Sequence, residues 1–181
     1  MLGTLLLGGV AALDAAPVAQ TLLSQPLVTA TLLGALWGDW HVALEIGVVL
    51  QILAASTLPV GARTPEDYAT GAVVGVGLGL ALASREPFAM ARESAVLVGV
   101  LAGLVAATLG VPLLKWQRRR NEGLARWCEA EVRAGREGAL GEAHAAAVAL
   151  AFAVGVGYCA VCLGLGLWAL DPLVTRHSLR L

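Results

Sequence analysis

The chain has 181 residues, of which 58% are hydrophobic and only 14% charged, with a formal net charge of −1 and a mean hydropathy of +0.78. Soluble domains are less apolar and about a quarter charged, so a water-soluble globular protein is excluded. What remains is an all-α integral membrane protein.

The first apolar stretch, Met1 to Leu13, has no basic residues ahead of it and so reads poorly as a cleaved signal. It closes at Asp14. Polar breaks follow at "DAAP" (14–17) and "QTLLSQP" (20–26). Pro26 to Trp37 is the next apolar run, about 18 Å long as a helix and well short of the ~30 Å hydrocarbon layer. Pro26 suits a first helical turn, Gly38 a helix end, and Asp39 the cap of the following helix.

That following helix, from about Trp40 to Leu58, carries His41 and Glu45 four apart on one face. Gln51 lies roughly 16 Å from the start of this helix, near the midplane if the helix is upright. A midplane amide must be hydrogen-bonded. It serves either to hold helices together or to hold a polar ligand, and the residue type alone does not choose. "LPVGARTPED" (58–67) then breaks the chain at Pro59 and Gly61. Thr64 is a candidate N-cap, Pro65 a first helical residue, and Asp67 the reciprocal member of a capping box. The next run, Ala69 to Ala83, is again short, about 22 Å. Gly71, Gly75, Gly77 and Gly79 are expected to loosen it.

Residues 1–93 therefore read as short hydrophobic segments, broken or re-entrant. Broken backbone at membrane depth must be buried in protein or line a cavity. Short, Gly/Pro-interrupted segments are a pointer to a transporter's binding site.

The second half differs. Ala95 to Leu114 is twenty residues without a charge and Ala145 to Leu170 twenty-six. Each is long enough to span a membrane, and the reading sets spanning helices at 94–114 and 144–170. Between them, at 115–143, seven of the twelve basic residues are concentrated: Lys115, Arg118, Arg119, Arg120, Arg126, Arg133 and Arg136. Cytoplasmic loops carry this excess, so the segment is expected inside the cell and the charge is assigned to topology, not to nucleic acid. Trp116, Leu124, Trp127, Cys128 and Val132 make a partial apolar stripe. The segment is expected to be substantially helical, either as a helix lying on membrane lipid or as a solvated connector helix. Cys159 and Cys162 form a CxxC inside the last run, where thiols pack as small apolar groups. His41, His144 and His177 are scattered. No metal site, cofactor motif or catalytic arrangement is expected.

The order of the breaks resembles a family. Asp14, "QPLVTATLLGALWGD" and "EIGVVLQILAASTLPVGARTPED" are similar to the membrane subunit IIC of the mannose/fructose/sorbose family of the bacterial phosphotransferase system. The matching positions are Gln25-Pro26-Leu27, Gly38-Asp39, Ile46-Gly47, Gln51, Gly61-Ala62 and Asp67. The resemblance runs along essentially the whole chain, and 14–67 is its specific part. It implies a multi-pass protein of the bacterial cytoplasmic membrane that translocates a sugar, commonly a hexose. It also implies a IID membrane subunit and soluble IIB and IIA subunits, which carry the phosphohistidines. The substrate-binding candidates are Gln51, Asp14, Asp67 and Glu45, and broken segments that one small bundle cannot cover imply an oligomer.

The chain departs from the family pattern at Gln25, where an Arg is usual, and at Pro59, where mannose-type members often have Asn. It also ends soon after its last long run, as a short form would. The function expected from the resemblance is a sugar-translocating IIC permease component. Its alternative is a non-transporting membrane scaffold or regulator of the same fold.

Overall fold

The structure is a computed structural model that describes residues 1–15, 21–57, 64–85 and 89–178, with side chains as far as residue 170. The described residues form six helices and no strand: α1 (Leu2–Ala15), α2 (Pro26–Trp37), α3 (Trp40–Ser56), α4 (Tyr68–Ala83), α5 (Arg92–Arg133) and α6 (Ala139–Ser178). This is an all-α membrane bundle. Two helices, α5 and α6, are long and apolar enough to cross a bilayer, and four are shorter apolar helices.

The α2–α3 hairpin follows from its punctuation. Pro26 opens α2 with φ preset for a helix and no N–H to satisfy. Gly38 closes it in the left-handed conformation (φ +78°), its N–H donating to the Gly34 carbonyl. Asp39 then caps α3 by accepting from the N–H groups of His41 and Val42. Close packing of the pair needs small residues where they cross. A Cβ on Gly47 would collide with that of Ala30, and one on Gly34 would lie 3.1 Å from the Ala43 Cβ.

The glycines of α4 compact the bundle instead of loosening it. Fourteen of the sixteen residues of α4 are buried, because the other helices surround it. Along one side, Gly71 and Gly75 meet Gly99 and Gly103 of α5 backbone to backbone. A Cβ on Gly75 would sit 2.5 Å from the Gly99 carbonyl oxygen, and one on Gly71 2.7 Å from that of Gly103. On another side Gly77 faces Thr4 of α1 and Leu163 of α6. Helices in lipid gain most from such small-residue contacts, since lipid tails are as apolar as the side chains they replace. A similar crossing joins α1 and α6, where a Cβ on Gly155 would lie 2.8 Å from the Gly8 carbonyl oxygen.

Polar clamps fix the register of these contacts. The Trp37 indole donates to Thr4 Oγ1 at 3.0 Å, tying α2 to α1. The Tyr158 hydroxyl donates to the Ala106 carbonyl at 2.5 Å, tying α6 to α5. The Asp67 N–H donates to the Ala107 carbonyl at 2.9 Å, setting the start of α4 against the middle of α5.

The boundaries read at 114/115 and 143/144 fall inside continuous helices. α5 carries on through the basic segment to Arg133, and α6 begins at Ala139 after a turn containing Gly135 in the left-handed conformation (φ +88°). Lys, Arg and Gln are good helix formers, so a change of solvent along α5 does not end the helix. Cys128, Ala139 and Ala143 form a small buried cluster between the two arms, and an apolar groove of ≈510 Å³ separates them.

Candidate functional site

The ends of the short helices converge. α1 stops at Ala15, α2 starts at Pro26, α3 stops at Ser56 and α4 starts at Tyr68. Ala15, Ser24, Pro26, Gln51, Thr57 and Asp67, taken from these ends, line one cleft of ≈800 Å³. Its remaining wall is α5, through Leu114, Gln117, Arg118 and Asn121. These four are spaced i, i+3, i+4, i+7, one helical face. Towards the N-terminus that face continues as Ala107 and Gly103, the residues that pack on α4.

Gln51 bridges two helices. Its Oε1 accepts from the Leu27 N–H at 3.2 Å, and its Nε2 donates to Gln25 Oε1 at 2.9 Å. The first N–H groups of a helix have no partner within it, and Gln25 makes no side-chain cap of its own. Gln51 thus supplies from α3 part of the cap that α2 lacks. Both amides still line the cleft.

Asp67 caps α4, accepting from the Thr70 N–H at 3.2 Å and the Thr70 hydroxyl at 2.7 Å. The capping box read at Thr64 is displaced by three residues. Thr64 to Asp67 precede the helix, and Pro65 is not its first residue. The carboxylate of Asp67 reaches the cap position first because its N–H is already held on Ala107. Asp67 lies on the wall between the cleft and a smaller void of ≈50 Å³ beside Thr70, Gly155 and Tyr158.

Asp14 is buried at 4% exposure and organises the turn before α2. One oxygen accepts from the N–H and hydroxyl of Thr21, the other from the N–H and hydroxyl of Ser24 at 2.9 and 3.0 Å. Between them Leu22 adopts φ +72°, a conformation that costs a non-glycine residue on the order of 1 kcal/mol. The four hydrogen bonds to Asp14 hold the turn in that shape. Asp14 shapes the edge of the cleft but is not among its lining residues.

Glu45 lies elsewhere. It pairs with Arg92 at the start of α5, six residues or about 9 Å along α3 from Gln51. The residues from 58 to 63, including Pro59, Gly61 and Arg63, lie outside the described residues. Among the described residues no group of His, Cys, Asp or Glu is arranged to hold a metal ion.

Sequence reasoning missed Gln117, Arg118 and Asn121 because the basic segment was set apart from the span before it. The signal was present: carried past Leu114 in helical phase, the α4-facing stripe reaches all three. Amides, hydroxyls, carboxylates and one guanidinium thus face a common space with apolar alanine and proline between them. Such a surface offers donors and acceptors to an uncharged polyhydroxyl ligand.

Over residues 1–163 the chain matches the family described as the sorbose-specific IIC component of the phosphotransferase system. The chain belongs to that family. It is therefore a membrane IIC component of a phosphotransferase-type sugar permease, as the order of Asp14, Gly38-Asp39, Gln51 and Asp67 indicated. The match takes in α1 to α5 and α6 as far as Leu163, so the IIC family covers every residue named in the cleft. No curated protein matches the chain.

Proposed function

We propose that this IIC component binds and passes a hexose through the cleft between the ends of α1 to α4 and the wall of α5. The observation that carries the reading is the convergence of four helix ends on one polar cleft of ≈800 Å³. That volume is within the range of about 300–1,000 Å³ usual for small-molecule sites. Gln51 and Asp67 are the substrate-facing members of the original four. Asp14 and Glu45 act as framework, one shaping the turn before α2 and the other fixing α3 to α5.

In this reading the basic end of α5 is cytoplasmic by the positive-inside rule, so the cleft opens inward, in the cytoplasmic membrane of a bacterium. The sugar leaves towards a soluble IIB subunit, charged by IIA, that phosphorylates it. A IID subunit or a second copy covers the open side of the cleft, because lipid does not hydrogen-bond exposed backbone. The chain itself supplies binding and path, and no phosphoryl-carrying residue.

The test is phosphoenolpyruvate-dependent uptake of sorbose, fructose and mannose in cells carrying the whole permease. Wild type is expected to take up at least one of them. Gln51→Leu is expected to reach the membrane in normal amount and to lose uptake at least tenfold. A well-folded chain whose deletion changes no hexose uptake is the scaffold alternative.

A further inference from the structure

The polar face of α5 at the cleft has a composition that a neutral sugar does not by itself require. Gln117 and Asn121 offer amides, and between them Arg118 offers a cation. Among the described residues Arg118 makes one hydrogen bond, a long one of 3.3 Å from its guanidinium to Thr64 Oγ1. Three other guanidinium groups of the α5–α6 hairpin are spent differently. Arg120 lies over the Trp116 ring at 5.4 Å, Arg133 pairs with Glu129, and Arg136 with Glu131 and Glu142. Arg118 is the cation among them that lines the cleft, and among the described residues that bond engages one of its five N–H donors.

A second observation points the same way. Asn121 stands where the cleft meets the groove between α5 and α6. Its Oδ1 is buried and has no hydrogen-bond partner among the described residues. A buried acceptor without a donor is costly, and a ligand hydroxyl would recover that cost. One turn of helix thus presents an orphaned acceptor suited to a hydroxyl and, three residues before it, a guanidinium suited to an anion.

We propose that Gln117, Arg118 and Asn121 form a product subsite, in which Arg118 binds the phosphate of a sugar monophosphate and Asn121 accepts from one of its hydroxyls. The inference rests on the hexose reading above and adds to it a residue that distinguishes the ester from the free sugar. Guanidinium and phosphate match in geometry, two N–H donors to two oxygens, which an ammonium does not reproduce. The carboxylates of Glu66 and Asp67 also line the cleft. Among the described lining residues Arg118 is the cation on which a phosphate can rest. A subsite there holds the phosphorylated sugar at the end of its path and disfavours its return.

The experiment measures binding of fructose, mannose and sorbose, each beside its monophosphate, to the permease complex in detergent. The quantity read is the ratio of ester affinity to free-sugar affinity. Arg118→Gln is expected to lower that ratio at least tenfold and Arg118→Lys to lower it less. Arg126→Gln, a cation that does not line the cleft, is expected to leave it within twofold. Asn121→Leu is expected to weaken both ligands together. Residual binding of free sugar by Arg118→Gln shows that the variant is folded. An unchanged ratio in that variant overturns the subsite and leaves the hexose reading standing. If wild type binds neither sugar nor ester, the hexose reading falls and the subsite with it.

Discussion

The short helices α1–α4 and the long pair α5–α6 are built from similar apolar residues, yet they are held in different ways. The glycines show the contrast. Every glycine of α4 would bring a Cβ within 3.0 Å of a neighbouring helix; on α6 Gly155 would do so as well, but Gly157 and Gly164 have nothing within 4 Å. The turn before α2 is held by a carboxylate seven and ten residues away in sequence, Asp14. The turn between α5 and α6 is held locally, by Arg136 and its own neighbours Glu131 and Glu142. Long helices carry more of their order in their own sequence, although α5 and α6 join the crossings at Gly99, Gly103 and Gly155. Short ones take theirs from contacts that cross the bundle, and those crossing contacts are what bring the helix ends together into a cleft.

The largest expected effect is at Asp14. Asp14→Ala leaves the donors of Thr21 and Ser24 without their acceptor and Leu22 without its restraint. A loss on the order of 3 kcal/mol is expected from the charged hydrogen bonds alone, measured as a fall in thermal stability in detergent. Ion pairs at the hairpin tip supply the counterpart. Arg133 and Glu129 are both more than half exposed, so Arg133→Gln is expected to change stability negligibly.

Next in size is Gly75→Ala. The added methyl must push α4 and α5 apart, at about 2 kcal/mol for an overpacked contact. Unchanged stability in this variant would show that the helices do not meet as described. Gln51→Leu removes two inter-helix bonds, about 0.6 kcal/mol each on average in membranes, so roughly 1 kcal/mol of stability is expected to go. Its loss of uptake is expected to exceed anything that this small destabilisation explains. The smallest effect is a gain. Gly157→Ala replaces a helical glycine that touches nothing, and stability is expected to rise by up to about 1 kcal/mol.

Much of this was legible in the sequence where the cause was local. Pro26, Gly38 and Asp39 announced the α2–α3 hairpin because each acts on its own backbone. The two long apolar runs announced α5 and α6. Asp67 was legible as a cap but not its position, since the N–H bond to Ala107, forty residues away, decides where α4 starts. The glycines of α4 were misread as loosening because their partners, Gly99 and Gly103, sit on another helix. Gln51 left two roles open, and its bonds to Gln25 and Leu27 supply the first without removing it from the cleft. Glu45 read as a polar residue near Gln51, but its partner Arg92 is forty-seven residues on. The wall of α5 was hidden by a boundary drawn at a change of hydropathy that a helix does not feel.

The most direct test of the account uses a cysteine as a reporter of the cleft. Cys128, Cys159 and Cys162 are replaced by Ala, and Ala55, which lines the cleft, is changed to Cys. A control carries Cys at Gly138, which faces open space. Maleimide labelling is followed in membranes that contain the whole permease, with and without the transported hexose. The account predicts that the sugar slows labelling at position 55 several-fold and leaves position 138 unchanged. Equal labelling rates at position 55 with and without a sugar that the permease demonstrably transports would contradict it.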